Sequence, residues 1–194
     1  MDTTDTDALD RADMQKLAGG HDAALNELME RHAPAVFNFL LRMLGNEDEA
    51  NELAQETFVR VYRARESYRP EQKFSSWLYT IAANLARNQL RWRSRHPNVS
   101  LDAEAGTTGQ PLGDVLPSVS ANPHEAAEAA ERAEFVRAAV QALPGELREA
   151  IVLCEWEDLP VAEAAAVLQT TPKAVESRLY RARNLLREKL RKWL

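Results

Sequence analysis

At 194 residues, 45% of them hydrophobic, the chain can bury one or two cores, and no apolar run nears the ~20 residues that a membrane-spanning helix requires. The N-terminus, with Asp2, Asp5, Asp7 and Asp10, is the opposite of a secretory signal peptide, so a cytoplasmic protein without membrane insertion is expected. A single cysteine, Cys154, excludes an intramolecular disulfide and a cysteine-rich zinc site, and its place after the apolar run 150–153 suits a buried structural thiol.

In chain order, residues 1–21 read as a weakly ordered tail, apart from a short helix over 7–18. Asp22 is placed to cap a long helix whose buried stripe runs through Leu25, Leu28, His32, Val36, Phe37, Leu40 and Leu44; Pro34 should kink it and Gly45 end it. Asn46, with Glu49 three residues on, is an N-cap signature that opens a second helix to about residue 65. A loop over 67–73 leads to a third helix over about 74–95, with Trp77, Leu78, Ile81, Leu85 and Leu90 at helical spacing, and His96-Pro97 stops it. Residues 97–121 carry four glycines or prolines between 106 and 113 and almost no periodicity, the composition of an extended or flexible connection. Asn122-Pro123 with Glu125 opens the next helix, Pro144-Gly145 breaks it, and a further helix covers 146–156. With no alternating strand pattern, the chain is expected to be all-α: two small helical domains at 22–96 and 123–194, joined by a linker at 97–122.

The last third carries a helix-turn-helix pattern. An alanine-rich stretch from Val161 to Leu168 meets a break at Gln169 and Thr170, and Thr171-Pro172 supplies a hydroxyl cap with proline at the first helical position. In the helix that follows, Val175, Leu179, Ala182 and Leu186 fall on one core face, leaving Lys173, Glu176, Ser177, Arg178 and Arg181 to point outward. That suits a recognition helix in a DNA major groove; an ordinary helical hairpin with a solvated basic face is the alternative. The formal net charge of −6 argues against nucleic acid until it is divided along the chain. Residues 96–134 hold 1 basic and 7 acidic side chains, whereas 173–194 hold 8 basic and 2 acidic, and 87–95 hold four arginines and no acid. These two basic patches, and not the total, would meet phosphate.

Taken together the segments resemble the small bacterial sigma factors of the extracytoplasmic-function group of the sigma-70 family, which keep only sigma regions 2 and 4. In the first half the resemblance rests on Asp48-Glu49-Ala50-Asn51-Glu52-Leu53-Ala54-Gln55-Glu56-Thr57-Phe58, similar to the helix that grips the RNA polymerase clamp, and on the segment Phe74-Ser75-Ser76-Trp77-Leu78-Tyr79-Thr80-Ile81-Ala82-Ala83-Asn84, similar to the promoter-melting helix. In the second half, residues 143–183 resemble the upstream-promoter reader. The resemblance implies core-polymerase contacts at Asp48, Glu49, Glu52, Leu53, Gln55 and Glu56, where an acidic stripe lies beside apolar side chains. It implies minus-10 contacts at Tyr68, Lys73, Asn84, Arg87, Asn88 and Arg91, where cations would hold phosphates and the loop 68–73 would receive a flipped base. It implies minus-35 contacts at Thr171, Lys173, Ala174, Glu176, Ser177, Arg178 and Arg181.

A duller reading stands beside each: a solvated face for the acidic stripe, core packing for Phe58 and Trp77, and either core or DNA for Tyr79. The sequence departs from the family at Gln169, where glycine is common, at Pro160, where a hydroxyl is usual, and at Glu176, where lysine is frequent. The expected function is a non-enzymatic sigma factor that binds core RNA polymerase and promoter DNA under anti-sigma or stress control, with no cofactor or metal. The rivals are a dimeric helix-turn-helix regulator and a sigma mimic that titrates an anti-sigma factor.

Overall fold

The computed structural model describes residues 3–96 and 123–191; the expected linker and its acidic charge at Asp102, Glu104 and Asp114 lie outside the described residues. Among the described residues, eight α-helices make two clusters. The first comprises α1 (Thr3–Ala18), α2 (Ala24–Leu44), α3 (Glu47–Arg63) and α4 (Phe74–Arg95), with one 3₁₀ turn at Arg65–Ser67. The second comprises α5 (Pro123–Gln141), α6 (Gly145–Glu155), α7 (Val161–Val167) and α8 (Pro172–Leu190).

Helix α2 is the spine of the first cluster. Leu28, Val36, Phe39, Leu40 and Met43 are fully enclosed, and each such side chain contributes roughly 1.5–3 kcal/mol relative to exposure. The helix continues through Pro34. It begins at Ala24 behind an Ala23 cap without a side-chain bond, so Asp22 is not the expected cap. At its far end Gly45 enters the left-handed region at φ 69° and its N–H bonds to the Leu41 carbonyl at 2.8 Å. Asn46 then turns extended and its Oδ1 accepts from the Glu49 N–H at 2.9 Å, starting α3 as the sequence indicates.

The short helix expected over 7–18 is present, but it begins earlier and packs into the core where a weakly ordered tail was expected. Helix α1 runs from Thr3 and buries Met14 and Leu17 together with two carboxylates, Asp10 and Asp13. Buried carboxylates need partners. Arg31 donates to Asp10 at 3.0 Å and to Asp13 at 2.7 Å, and His32 Nε2 lies 2.8 Å from Asp10. His32 also packs on Phe74, which with Tyr68 and Trp77 forms an aromatic cluster with centroids 5.3–6.1 Å apart.

The two clusters pack on one another. Helix α7 lies against α4, and the C-terminal end of α2 meets α5 and α6. Gln141 Nε2 donates to the Arg42 carbonyl at 2.5 Å, and the buried Arg148 guanidinium donates to the Met43 carbonyl at 2.5 Å. These groups satisfy carbonyls that a helix end leaves without intrahelical partners.

For Asp13, burial opposes ionisation, but hydrogen bonds and charges from Lys16 and Arg31 prevail and hold its carboxyl below the usual range. A carboxyl depressed in the folded state stabilises above its unfolded pKa of about 3.9, and that contribution is lost as pH falls through the folded value. Protection of the α1 amides against exchange, after correction for the intrinsic pH dependence, should therefore fall below about pH 4. Asp13→Asn should cost on the order of 1–3 kcal/mol at neutral pH, as expected for a removed charged hydrogen-bond partner, and should flatten the acid dependence.

Candidate nucleic-acid interface

The cap at Asn46 aims the first turn of α3, with Glu47, Asp48 and Glu49, into solvent, where negative charge complements the helix N-terminus. Asp48, Glu52 and Gln55 stay exposed, and Val59, 40% exposed, adds an apolar contact that the sequence reading missed. Leu53 is half-buried and Phe58 is core. Glu56 pairs with Arg60 at 2.9 Å, and Glu49 is gripped by the Arg93 guanidinium, which also donates to the Leu44 carbonyl at 2.9 Å. The outward face thus presents the acids Glu47, Asp48 and Glu52 with the amide Gln55, and Glu49 and Glu56 are neutralised beside it.

Between the C-terminal end of α3 and the N-terminal half of α4 lies an open groove of about 370 Å³, lined by Arg60, Arg63, Ala64, Ser67, Trp77, Ile81 and Asn84. An aromatic wall, an amide and two cations line one space there. Aromatic faces beside cations are the elements with which single-stranded nucleic acid is bound in general. Asn84 belonged to the expected minus-10 set; Arg60 and Arg63 did not, because α3 reads as the acidic polymerase-facing helix. Tyr68 flanks the groove's aromatic wall, and its hydroxyl closes the loop by donating to the Gln72 carbonyl at 2.8 Å. Burial raises its phenol above the ordinary value, so it is a neutral donor.

The remaining minus-10 candidates separate. Asn88 and Arg91 are exposed and joined by a 2.7 Å hydrogen bond. Lys73 pairs with Glu163 of α7 at 2.8 Å, with Asp7 of α1 at 3.8 Å, and the hydrogen bond to Glu163 raises its pKa against a smaller opposing effect of burial. Arg87 pairs with Glu149 of α6 at 2.9 Å. Tyr79 is core, its hydroxyl donating to Glu157 at 2.5 Å. Burial first, and then the Glu157 carboxylate, push that phenol far up.

In the helix-turn-helix, Gln169 closes α7 at φ 51°, the left-handed conformation for which glycine is common, and Thr170 N–H reaches back to the Ala165 carbonyl at 2.9 Å. Pro160 caps α7 without a side-chain bond, while Thr171 Oγ1 accepts from the Ala174 N–H at 3.2 Å to start α8. Lys173, Glu176, Ser177, Tyr180 and Arg181 form the exposed face of α8, and Ala174 is half-buried beside them. Tyr180, 69% exposed, was missed although it falls one turn from Glu176 and two from Lys173. Arg178, expected to point outward, is 18% exposed and pairs with Glu146 of α6 at 3.1 Å.

Among the described residues no group of three or more His, Cys, Asp or Glu is arranged to hold a metal ion, and no helix is long and apolar enough to cross a membrane.

Two families divide the chain as the two clusters do: sigma-70 region 2 matches residues 28–96 and sigma-70 region 4 matches residues 136–186. Among curated proteins, the chain is 31% identical to the ECF RNA polymerase sigma factor SigW of Bacillus subtilis, covering 92% of this chain and 95% of that protein. It is 31% identical to the ECF RNA polymerase sigma-E factor of Escherichia coli, covering 93% and 94%. A third relative, the ECF RNA polymerase sigma factor SigE of Mycolicibacterium smegmatis, is 34% identical over 90% of this chain but 66% of its own length. Among solved structures, CnrH in complex with the cytosolic domain of CnrY superposes with a TM-score of 0.70 at 27% identity, covering 95% of this chain and 98% of that one. The sigma factor RpoE, in complex with the anti-sigma factor NepR from Bartonella quintana, shares the fold with a TM-score of 0.64 at 23% identity, covering 86% and 96%. The chain belongs to the extracytoplasmic-function group of the sigma-70 family of RNA polymerase sigma factors.

Gln169→Gly should raise stability by about 0.5–1 kcal/mol, because relief of a left-handed penalty of about 1–2 kcal/mol exceeds the added freedom of the unfolded chain. Urea denaturation of the full chain measures it, with the slope expected to stay constant.

Proposed function

We propose that this sigma factor docks on core polymerase through the outward face of α3, captures a minus-10 base in the α3–α4 groove, and reads minus-35 DNA with the exposed face of α8. The observation that carries the proposal is the groove, which sets Trp77, Asn84, Arg60 and Arg63 around one opening. Extruding a base costs a few kcal/mol, and stacking with edge hydrogen bonds returns it. Asn88 and Arg91 continue the same side of α4 as backbone contacts, and Tyr68 sets the loop. Lys73 and Arg87 join them once released from Glu163 and Glu149. On α8, Thr171 and Ala174 position the helix start while Lys173, Glu176, Ser177, Tyr180 and Arg181 face the groove of DNA. Arg178 takes part only by giving up Glu146. The absence of a lysine at Glu176 is met by cytosine, whose amino group a carboxylate accepts. Control by an anti-sigma protein is part of the proposal, supported by the likeness to CnrH, which was captured with CnrY.

Specific initiation on a promoter library after addition to sigma-free core polymerase tests the whole reading; a regulator that does not replace a sigma factor would produce none. Glu52→Lys should weaken core binding while leaving stability within about 1 kcal/mol, as expected for an exposed helix carboxylate. Asn84→Ala should slow promoter melting, followed with a fluorescent base, without altering core affinity. Arg181→Ala should cost on the order of 1–3 kcal/mol at the preferred minus-35 sequence and relax selection there. Arg187→Ala should instead weaken all sequences alike and reduce the salt slope by about one phosphate.

A further inference from the structure

The last turns of α4 hold an aromatic pair in solvent. Trp77 and Trp156 are half-buried, whereas Trp92 is 44% exposed, and the exposed His96 ring stacks on it with centroids 4.9 Å apart and planes 24° from parallel. His96 Nδ1 donates to the Trp92 carbonyl at 3.0 Å, which sets the tilt of the imidazole. Arg93 ties the same turn to Glu49 and to the Leu44 carbonyl. The stack is therefore fixed to an anchored helix end, and little ordering is left for a ligand to impose.

Two rows of side chains lead to it. Asn84, Asn88, Trp92 and His96 recur every four residues, a ridge that winds slowly round the helix, and Arg87, Arg91 and Arg95 form the ridge beside it. Asn84 lines the α3–α4 groove, and Trp92 stands two steps further along its ridge, ~12 Å at about 1.5 Å per residue. Residues 87–96 include no acid. Arg87 pairs with Glu149, but Arg91 is bonded only to the Asn88 side chain and the Arg87 carbonyl, and Arg95 forms no ion pair with a described residue. A protein segment seated on this surface would have to bring acids for Arg91 and Arg95 or leave them desolvated without partners. A nucleic acid strand brings a phosphate with every base, and its bases stack on aromatic rings whatever their sequence.

We infer that Trp92 and His96 form a second base-stacking site, which takes one unpaired base of the promoter strand whose minus-10 base enters the α3–α4 groove, with Arg91 and Arg95 on the phosphates beside it. The inference rests on the proposed minus-10 role of that groove. The site lies upstream of the groove, because the chain leaves α4 there toward the cluster proposed to read minus-35 DNA. A separation of ~12 Å corresponds to about three to four nucleotides of a stacked strand at about 3.4 Å each, and to fewer of a stretched one.

The test uses the full chain assembled with core polymerase and a promoter fragment held open by mismatches, with a fluorescent adenine analogue placed in turn at each position across that span. The unaltered protein should quench the analogue at one of these positions. Trp92→Ala should abolish the quenching and weaken binding of the open fragment at least about fivefold, the lower end for loss of one base–aromatic stack, whereas Trp92→Phe should retain most of both. His96→Ala should remove part of the quenching, and it replaces Trp92→Ala if circular dichroism shows that the latter has lost helix. Absence of quenching at every position overturns the inference, as does quenching that survives Trp92→Ala. A Trp92→Ala protein that assembles less well with core polymerase yet keeps the quenching assigns the surface to a protein partner and overturns it too. Asn84→Ala separates the two readings. If Asn84→Ala weakens binding of the open fragment and Trp92→Ala does not, the stacking site is wrong and the groove stands. If neither weakens it, the minus-10 role of the groove fails and takes the stacking site with it.

Discussion

The C-terminal end of α2 is the point from which both halves of the molecule are positioned. A helix end leaves carbonyls without intrahelical partners, and here Gly45, Gln141, Arg148 and Arg93 supply the donors for Leu41, Arg42, Met43 and Leu44. The left-handed glycine turns the chain toward Asn46, whose cap sets the direction of α3 and with it the acidic face. Arg93, coming from α4, ties that same corner to Glu49. Gln141 and Arg148, coming from α5 and α6, bring the helix-turn-helix alongside. Burial lowers the pKa of the Arg148 guanidinium, and four carbonyl and amide oxygens partner its two terminal nitrogens, while its Nε is buried without a hydrogen-bond partner.

This construction gives α4 two faces of different character. The face toward α3 holds Trp77, Ile81 and Asn84 around an open groove, while the face toward α7 holds Ser76, Tyr79 and Arg87 against carboxylates. The first face is the more apolar by sequence. Only the second is covered. Burial raises the carboxyl pKa values of Glu149 and Glu157, against the opposing charges of Arg87, Arg178 and Arg42, which marks these acids as groups taken out of water rather than surface ornaments.

What the sequence disclosed follows from the range of the interactions involved. Gly45 with Asn46 and Glu49, and Thr171 with Pro172, are signals contained within a few residues, and both helix boundaries stand where those signals put them. The helix expected over 7–18 is present in α1, but its packing was hidden because half its buried face is Asp10 and Asp13, which resemble solvent-facing residues until Arg31 and His32 are brought across from α2. Asp22 looked like a cap by type, but the backbone turns before it and Ala23 takes the position. Periodicity set Arg178 off the core stripe of α8, yet its surroundings depend on Glu146 of another helix, which no spacing within α8 reports. The groove is equally a tertiary product: Arg60 and Arg63 read as part of an acidic helix until the end of α3 crosses α4.

Covalent connection changes what the contact between modules must achieve. Two sites joined by a short connecting chain meet at an effective concentration on the order of millimolar. A contact whose strength between separate molecules would be only about 0.1 mM is then closed roughly ten times out of eleven. The polar character of the junction, with Glu149, Glu157 and Glu163 against Arg87, Tyr79 and Lys73, suits such a weak contact: charge sets its register, and salt weakens it. Lengthening the connecting stretch would lower that concentration only slowly, so the contact between the two clusters tolerates wide variation in the length of 97–122.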